Sequence, residues 1–346
     1  MDLEALYRAV ERSVSSLDFP RIWPGFTPLK FALYDAEKCF FDGRYVEKTA
    51  DFCANTSIKY RGEQIAVWMV QEELPLPVLT SKLVHEMFHG FQTLTGWDCW
   101  PNEMEALFRY RYDAENLCLK LRENELLLSL LNGFDGAAFR ELTALRKRRS
   151  EAFPFEFTYE SKVEEIEGTA NYVEWQVLKE LDEEAAVALT DRMRKTVTRP
   201  DSLFPIRISC YFTGALMIHA MRMAGVYDFE PARRPMPLQI LRSAPASDGC
   251  FAGKEACFRR VSHAVASYRE ETEAIIRSAL ERADVAAEGP LELVFVNIYN
   301  ARYHDGYVIS TYFLMVRDGA EEKMLPGNFV VRMRDGKTID KVYRWG

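Results

Sequence analysis

The chain of 346 residues has no long apolar run; nothing in it approaches the ~20 consecutive apolar residues that a membrane-spanning helix needs. It also lacks a cationic surplus. Lys plus Arg number 44 against 52 Asp plus Glu, a net charge of −8 that repels phosphate backbones and anionic headgroups, so neither nucleic acid nor a membrane is an expected partner. The seven cysteines are odd in number and form no CxxC pair, which argues against a disulfide framework and against a cysteine-ligated metal. The opening MDLEALYRAVERSV has acidic residues where a secretory leader is basic, and with the scattered thiols this points to a cytoplasmic protein. There is no internal repeat and no low-complexity tract. Histidine is scarce as well, at five residues, so two of them four apart stand out.

What is present is the composition of a folded protein, 48% hydrophobic and 28% charged. Leu6, Val10, Val14 and Leu17 fall on one stripe and predict a helix over 3–17. PLKFALYDAEKCFFDGRY and EQIAVWMVQEE read as strands and turns of a small N-terminal sheet. Thr80 or Ser81 is expected to cap a helix over SKLVHEMFHGFQTLTG. Further helices are predicted over 102–131, 136–153, 158–181, 183–197, 205–224 and 257–285, with RKRR at 146–149 as a solvated face. After Ala286 the period changes, and LELVFVNIY, YVISTYFLMVRD, NFVVRMRDG and TIDKVYRWG read as four strands of a meander. The expected architecture is α+β: a predominantly helical domain over 1–287 with a small N-terminal sheet, then a small antiparallel β domain over 288–346. The aromatic residues of that tail, Tyr299 and Tyr303 among them, either wall a cleft or fill half-buried sheet faces.

The chemistry centres on HEMFH, residues 85–89. On a helix Leu83, Val84, Met87, Phe88, Phe91 and Leu94 occupy one arc, and His85 and His89 sit together outside it. Imidazoles at i and i+4 suit one Zn²⁺ held at ~2.0–2.1 Å. Glu86 lies beside them, placed to take a proton from a metal-acidified water and pass it to a leaving amine. No third histidine follows, so a carboxylate is needed to complete a catalytic set of three protein ligands.

The helix YESKVEEIEGTANYVEW supplies candidates, since Glu164, Glu167 and Asn171 share the face beside its apolar stripe. Glu167 is preferred because Gly168, Thr169 and Ala170 are small and would admit a close approach to the HEMFH helix; Glu164, then Glu165 and Glu174, are the alternatives. Asn171, one turn on, is a candidate to hold the far nitrogen of a ligand histidine. Tyr211 is the preferred donor to a developing oxyanion, with Tyr172 and His219 as alternatives.

HEMFHGFQ followed by EGTANYVEW resembles the gluzincin branch of the zincin metallopeptidases over about residues 60–220. The resemblance implies one Zn²⁺ per chain on His85, His89 and Glu167, Glu86 as general base, and a peptide or protein substrate. It also implies that the strand before the active helix, Ile65 to Val70, lines the cleft with Val67 and Trp68 and offers an edge to an extended peptide. Ile166 and Ala170-Asn171 depart from the thermolysin-type NExxSD pattern, so no closer family is implied. The alternative function is a metal-stabilised, non-catalytic binding or regulatory protein on the same fold. An open metal position in a cleft beside a free strand edge separates the two readings.

Overall fold

The computed structural model describes residues 2–229, 236–242 and 244–346 of an α+β chain in which two sheets flank a helical body. Asp2 caps α1 (Leu3–Ser15) by accepting from the Glu4 and Ala5 amides, and a single turn, α2 (Phe19–Ile22), follows. Five strands then form a mixed sheet: β1 (Phe31–Tyr34), β2 (Cys39–Phe41), β3 (Arg44–Val46), β4 (Thr56–Tyr60) and β5 (Glu63–Met69). Their order is β3-β2-β1-β5-β4, with β5 parallel to β1 and antiparallel to β4. The period of two sorts the side chains. Phe31, Leu33, Phe40 and Ala66 join the core shared with the helices, while Ala32, Tyr34, Phe41, Ile65 and Val67 close a second core on the other face. β5 was expected to present a free edge; it is interior, and β4 carries that edge instead.

The helix that carries HEMFH, α3 (Leu76–Leu94), begins five residues before the expected Ser81 because Pro77 falls in its first turn, where a missing N–H costs nothing. It lies so close to the sheet that a Cβ on Gly90 would stand 2.7 Å from Ser57 Oγ of β4. The single helix expected over 102–131 is broken. Asn102 caps α4 (Glu103–Arg109) and Asp113 caps a fresh helix, α5 (Ala114–Ser129). Next come α6 (Gly136–Ala152) and α7 (Pro154–Val163), which continues through one wide π-turn (Glu164–Gly168) into α8 (Thr169–Leu181). The body is completed by α9 (Glu183–Val197), α10 (Ile206–Met223), α11 (Met236–Leu241) and α12 (Lys254–Arg282).

Two expectations about this body are corrected by its packing. Gly168 serves the contact with α10 rather than α3, since a Cβ there would stand 2.4 Å from the Gly214 Cα. RKRR is not a solvated face: Arg146 and Arg149 are buried with Lys120, Glu123, Glu160 and Glu164, each 1% exposed or less. Arg146 and Lys120 reach Glu164 at 2.7 and 2.6 Å, and Arg149 reaches Glu160 at 2.5 Å and Glu123 at 3.0 Å. Three cations matched to three carboxylates can leave water where any one of them alone could not.

The C-terminal sheet is antiparallel and larger than the expected four-strand meander. It comprises β6 (Val285–Val296), β7 (Arg302–His304), β8 (Tyr307–Ser310), β9 (Phe313–Asp318), β10 (Glu321–Pro326), β11 (Phe329–Met333) and β12 (Thr338–Arg344). The order β10-β9-β6-β12-β11-β8-β7 places the last strand between β6 and β11, so the path is not a meander. Met104, Leu107 and Phe108 of α4 pack onto its core, joining the sheet to the helical body. Among the described residues no helix is long and apolar enough to cross a membrane.

Candidate metal centre and active site

His85 and His89 on α3 meet Glu167 from the π-turn, and one ligand atom from each lies within 4.8 Å of the others. The two Nε2 atoms are 3.1 Å apart, and Glu167 Oε2 is 3.3 Å from His89 Nε2 and 3.9 Å from His85 Nε2. The wide turn separates Glu164 from Glu167 around the helix axis, sending the first into the ion network and the second toward α3.

Hydrogen bonding fixes what these nitrogens carry. Gln92 donates its amide N–H groups to the Ile166 carbonyl (2.9 Å) and to Thr169 Oγ1 (2.8 Å), so its oxygen is left to face His89 Nδ1 at 2.7 Å. His89 Nδ1 must therefore be the donor. Glu174 Oε2 stands 3.3 Å from His85 Nδ1, an ion-pair approach off the hydrogen-bond line that also favours a proton on Nδ1. In the neutral rings both Nε2 atoms then present lone pairs to each other and to a carboxylate.

The second oxygen of Glu167 is occupied. Arg207 donates to Oε1 at 2.6 Å, and the same guanidinium pairs with Glu103, which accepts from the Tyr159 hydroxyl at 2.8 Å. Burial opposes ionisation of Glu167, but His89, Arg207 and His85 outweigh it and hold the carboxyl down to about 2. Burial likewise pulls His89 down, yet Glu167, Glu86 and the Gln92 oxygen lift it to about 9. Glu86 moves the other way from Glu167: burial raises its pKa despite the neighbouring histidines, which makes it the stronger base of the two.

The cluster opens on a cavity of about 600 Å³. Glu86 and Tyr211 line it, as do Trp68, Trp100 and Phe212, and Asn55, Thr56 and Ser57 border it at the start of the edge strand β4. Val67, expected to touch substrate, is fully buried in the core beyond the sheet, because it points opposite to Trp68. Asn171 also departs from its expected role. It lines the cavity but donates to the Glu167 carbonyl at 3.0 Å, and the far nitrogens of the histidines go to Gln92 and Glu174. The alternatives for the third ligand are placed elsewhere too: Glu164 is bound by Lys120 and Arg146, and Glu165 accepts from the Met236 amide at 2.7 Å. Tyr172 is buried under Arg222, and His219 packs edge-on against Trp175.

The residues that sequence reasoning missed support those it found. Gln92, one turn beyond His89, was open to a pattern search for orienting partners, and Glu174, considered only as an alternative third ligand, stands beside the far nitrogen of His85 instead. Arg207 comes from a distant segment and no spacing announces it, while Tyr299 is the one of the tail aromatics considered for a cleft wall that lines this cavity. No protein-family model, no curated protein and no solved structure matches the chain.

Proposed function

We propose that the chain is a zinc-dependent peptidase of gluzincin type in which His85, His89 and Glu167 hold one zinc ion. The observation that carries the reading is the convergence of two imidazole Nε2 atoms and one carboxylate oxygen at 3.1–3.9 Å. A proton can bridge only two of these three acceptors; a divalent cation satisfies all of them. The donor set suits zinc, and each ligand has the outer partner that metal sites use: Gln92 for His89, Glu174 for His85 and Arg207 for Glu167.

Zinc held by His85, His89 and Glu167 would supply Lewis-acid polarisation of a carbonyl and would bring the pKa of a water down to about 7. Glu86, on the cavity wall beside both histidines, takes the proton from the attacking water. A C–O bond forms, the C–N bond breaks, and Glu86 returns the proton to the leaving amine. Tyr211, with its oxygen held by Arg207 at 3.1 Å, directs its O–H to the carbonyl oxygen. The free edge of β4 offers main-chain partners to an extended peptide, while Trp68, Trp100 and Phe212 offer apolar walls.

The non-catalytic alternative calls for a closed, dry metal site, and a cavity of this size opening on the cluster disfavours it. Digestion of a peptide library by the zinc-loaded chain, with and without chelator, tests the reading. Cleavage that chelator abolishes and added zinc restores is the expected result; a zinc-loaded chain that cleaves nothing in the library would overturn it.

A further inference from the structure

We propose that Tyr299, carried to the cleft by the C-terminal sheet, is a positioning residue for Tyr211, so that both parts of the chain build the active site. The inference rests on the peptidase reading and names a residue which that reading does not need. Tyr299 lines the cavity, and its hydroxyl oxygen lies 3.1 Å from that of Tyr211. Arg207 donates to the same Tyr211 oxygen at 3.1 Å, and its guanidinium stands 5.3 Å from the centre of the Tyr211 ring and 6.0 Å from that of Tyr299.

A phenolic hydroxyl has one proton to give and two lone pairs to fill. Arg207 is a donor only, so it takes one lone pair of Tyr211. When Tyr299 donates into the other, the Tyr211 proton has nowhere to go but the cavity, which is the direction a carbonyl oxygen needs. Without Tyr299 the Tyr211 O–H can rotate away from that direction.

The turn that presents Tyr299 is braced for the purpose. Asn297 accepts from the Tyr299 amide through its side chain and from the Asn300 and Ala301 amides through its carbonyl, and its own side-chain N–H reaches Thr311. A second line from the sheet reaches the same point. Tyr303 packs edge-on against Phe108 of α4, and α4 carries Glu103, the other partner of Arg207. Tyr299 is nonetheless 48% exposed, so its ring contributes little to any core.

The test is a double-mutant cycle of Tyr211→Phe and Tyr299→Phe on one peptide that the parent cleaves, with thermal midpoint and zinc content measured alongside. Tyr211→Phe should lower kcat by about 10²-fold, the loss of one oxyanion donor. Tyr299→Phe should lower kcat by about 3- to 10-fold, the worth of one hydrogen bond, with KM, thermal midpoint and zinc content unchanged. The double variant should be no slower than Tyr211→Phe alone, since Tyr299 acts through Tyr211. Additive losses, an unchanged kcat, or a loss of zinc or stability in Tyr299→Phe would overturn the inference and leave the peptidase reading standing. A parent that cleaves no peptide overturns both.

Discussion

Glu164 and Glu167 stand three residues apart in one π-turn and end in opposite kinds of site. Glu164 is met by Lys120, Arg146 and the Thr213 hydroxyl at 2.6–2.7 Å; it is fully buried, and the charges around it cancel. Glu167 gives one oxygen to Arg207 and turns the other toward two imidazole nitrogens beside an open cavity. Counting cations against acceptors therefore separates a carboxylate enclosed by its partners from one that keeps an oxygen beside two imidazoles. The two are coupled through the turn itself, because the network that clamps Glu164 also fixes the backbone that aims Glu167.

The largest expected effect belongs to the open side. Glu86→Gln keeps size and hydrogen bonding but cannot accept a proton, so peptide hydrolysis should fall by ~10²–10⁴ while zinc stays near one per chain. Steady-state kinetics with metal analysis checks it, and full activity on every substrate of the parent would refute the mechanism. On the closed side, Glu164→Gln leaves Lys120 and Arg146 without their anion and should cost about 3–5 kcal/mol in denaturant unfolding, the range for breaking a buried ion pair. A change below 1 kcal/mol would show that the network is dispensable.

Smaller effects should follow at the partners of the ligands. Gln92→Leu removes the acceptor that holds His89 Nδ1 and should weaken zinc binding about 10- to 100-fold, measured by competition with a chromogenic chelator. Asn171→Leu, which removes only a bond to a backbone carbonyl, should change that affinity far less.

The smallest effect is the acid slope of stability. Burial raises the Glu164 pKa, but Arg146 and Lys120 outweigh it and hold the group well below the ordinary carboxylate range. A depressed folded-state pKa contributes stability that is present above the unfolded value of ~4.3 and lost as pH falls toward the folded one. Glu123, raised by burial against Arg149 and Arg146, acts in the opposite sense, so the informative quantity is a difference. The thermal midpoint of the parent should fall more steeply below pH ~4.3 than that of Glu164→Gln. Parallel slopes would contradict this assignment.

Residues whose placement is set along one helix were legible in the sequence. His85, Glu86 and His89 follow from spacing on a single turn; Glu167 was preferred for the small residues after it, but Gly168 packs on α10 and not on α3, so that ground does not account for where Glu167 stands. Roles set between distant segments were not legible. Val67 and Trp68 differ only by strand parity and by which face the helices cover, a matter of tertiary packing. The buried arginines of RKRR were hidden because their carboxylate partners sit on other helices. The insertion of β12 beside β6 was hidden because strand order is a long-range choice.

Zinc content tests the central claim most directly. The chain purified without chelator, beside its Glu167→Ala variant, should contain one zinc per molecule in the parent and a small fraction of that in the variant, since two imidazoles alone make a weak site. A parent without zinc, or a Glu167→Ala variant that retains it in full, would contradict the assignment of His85, His89 and Glu167 as the metal centre.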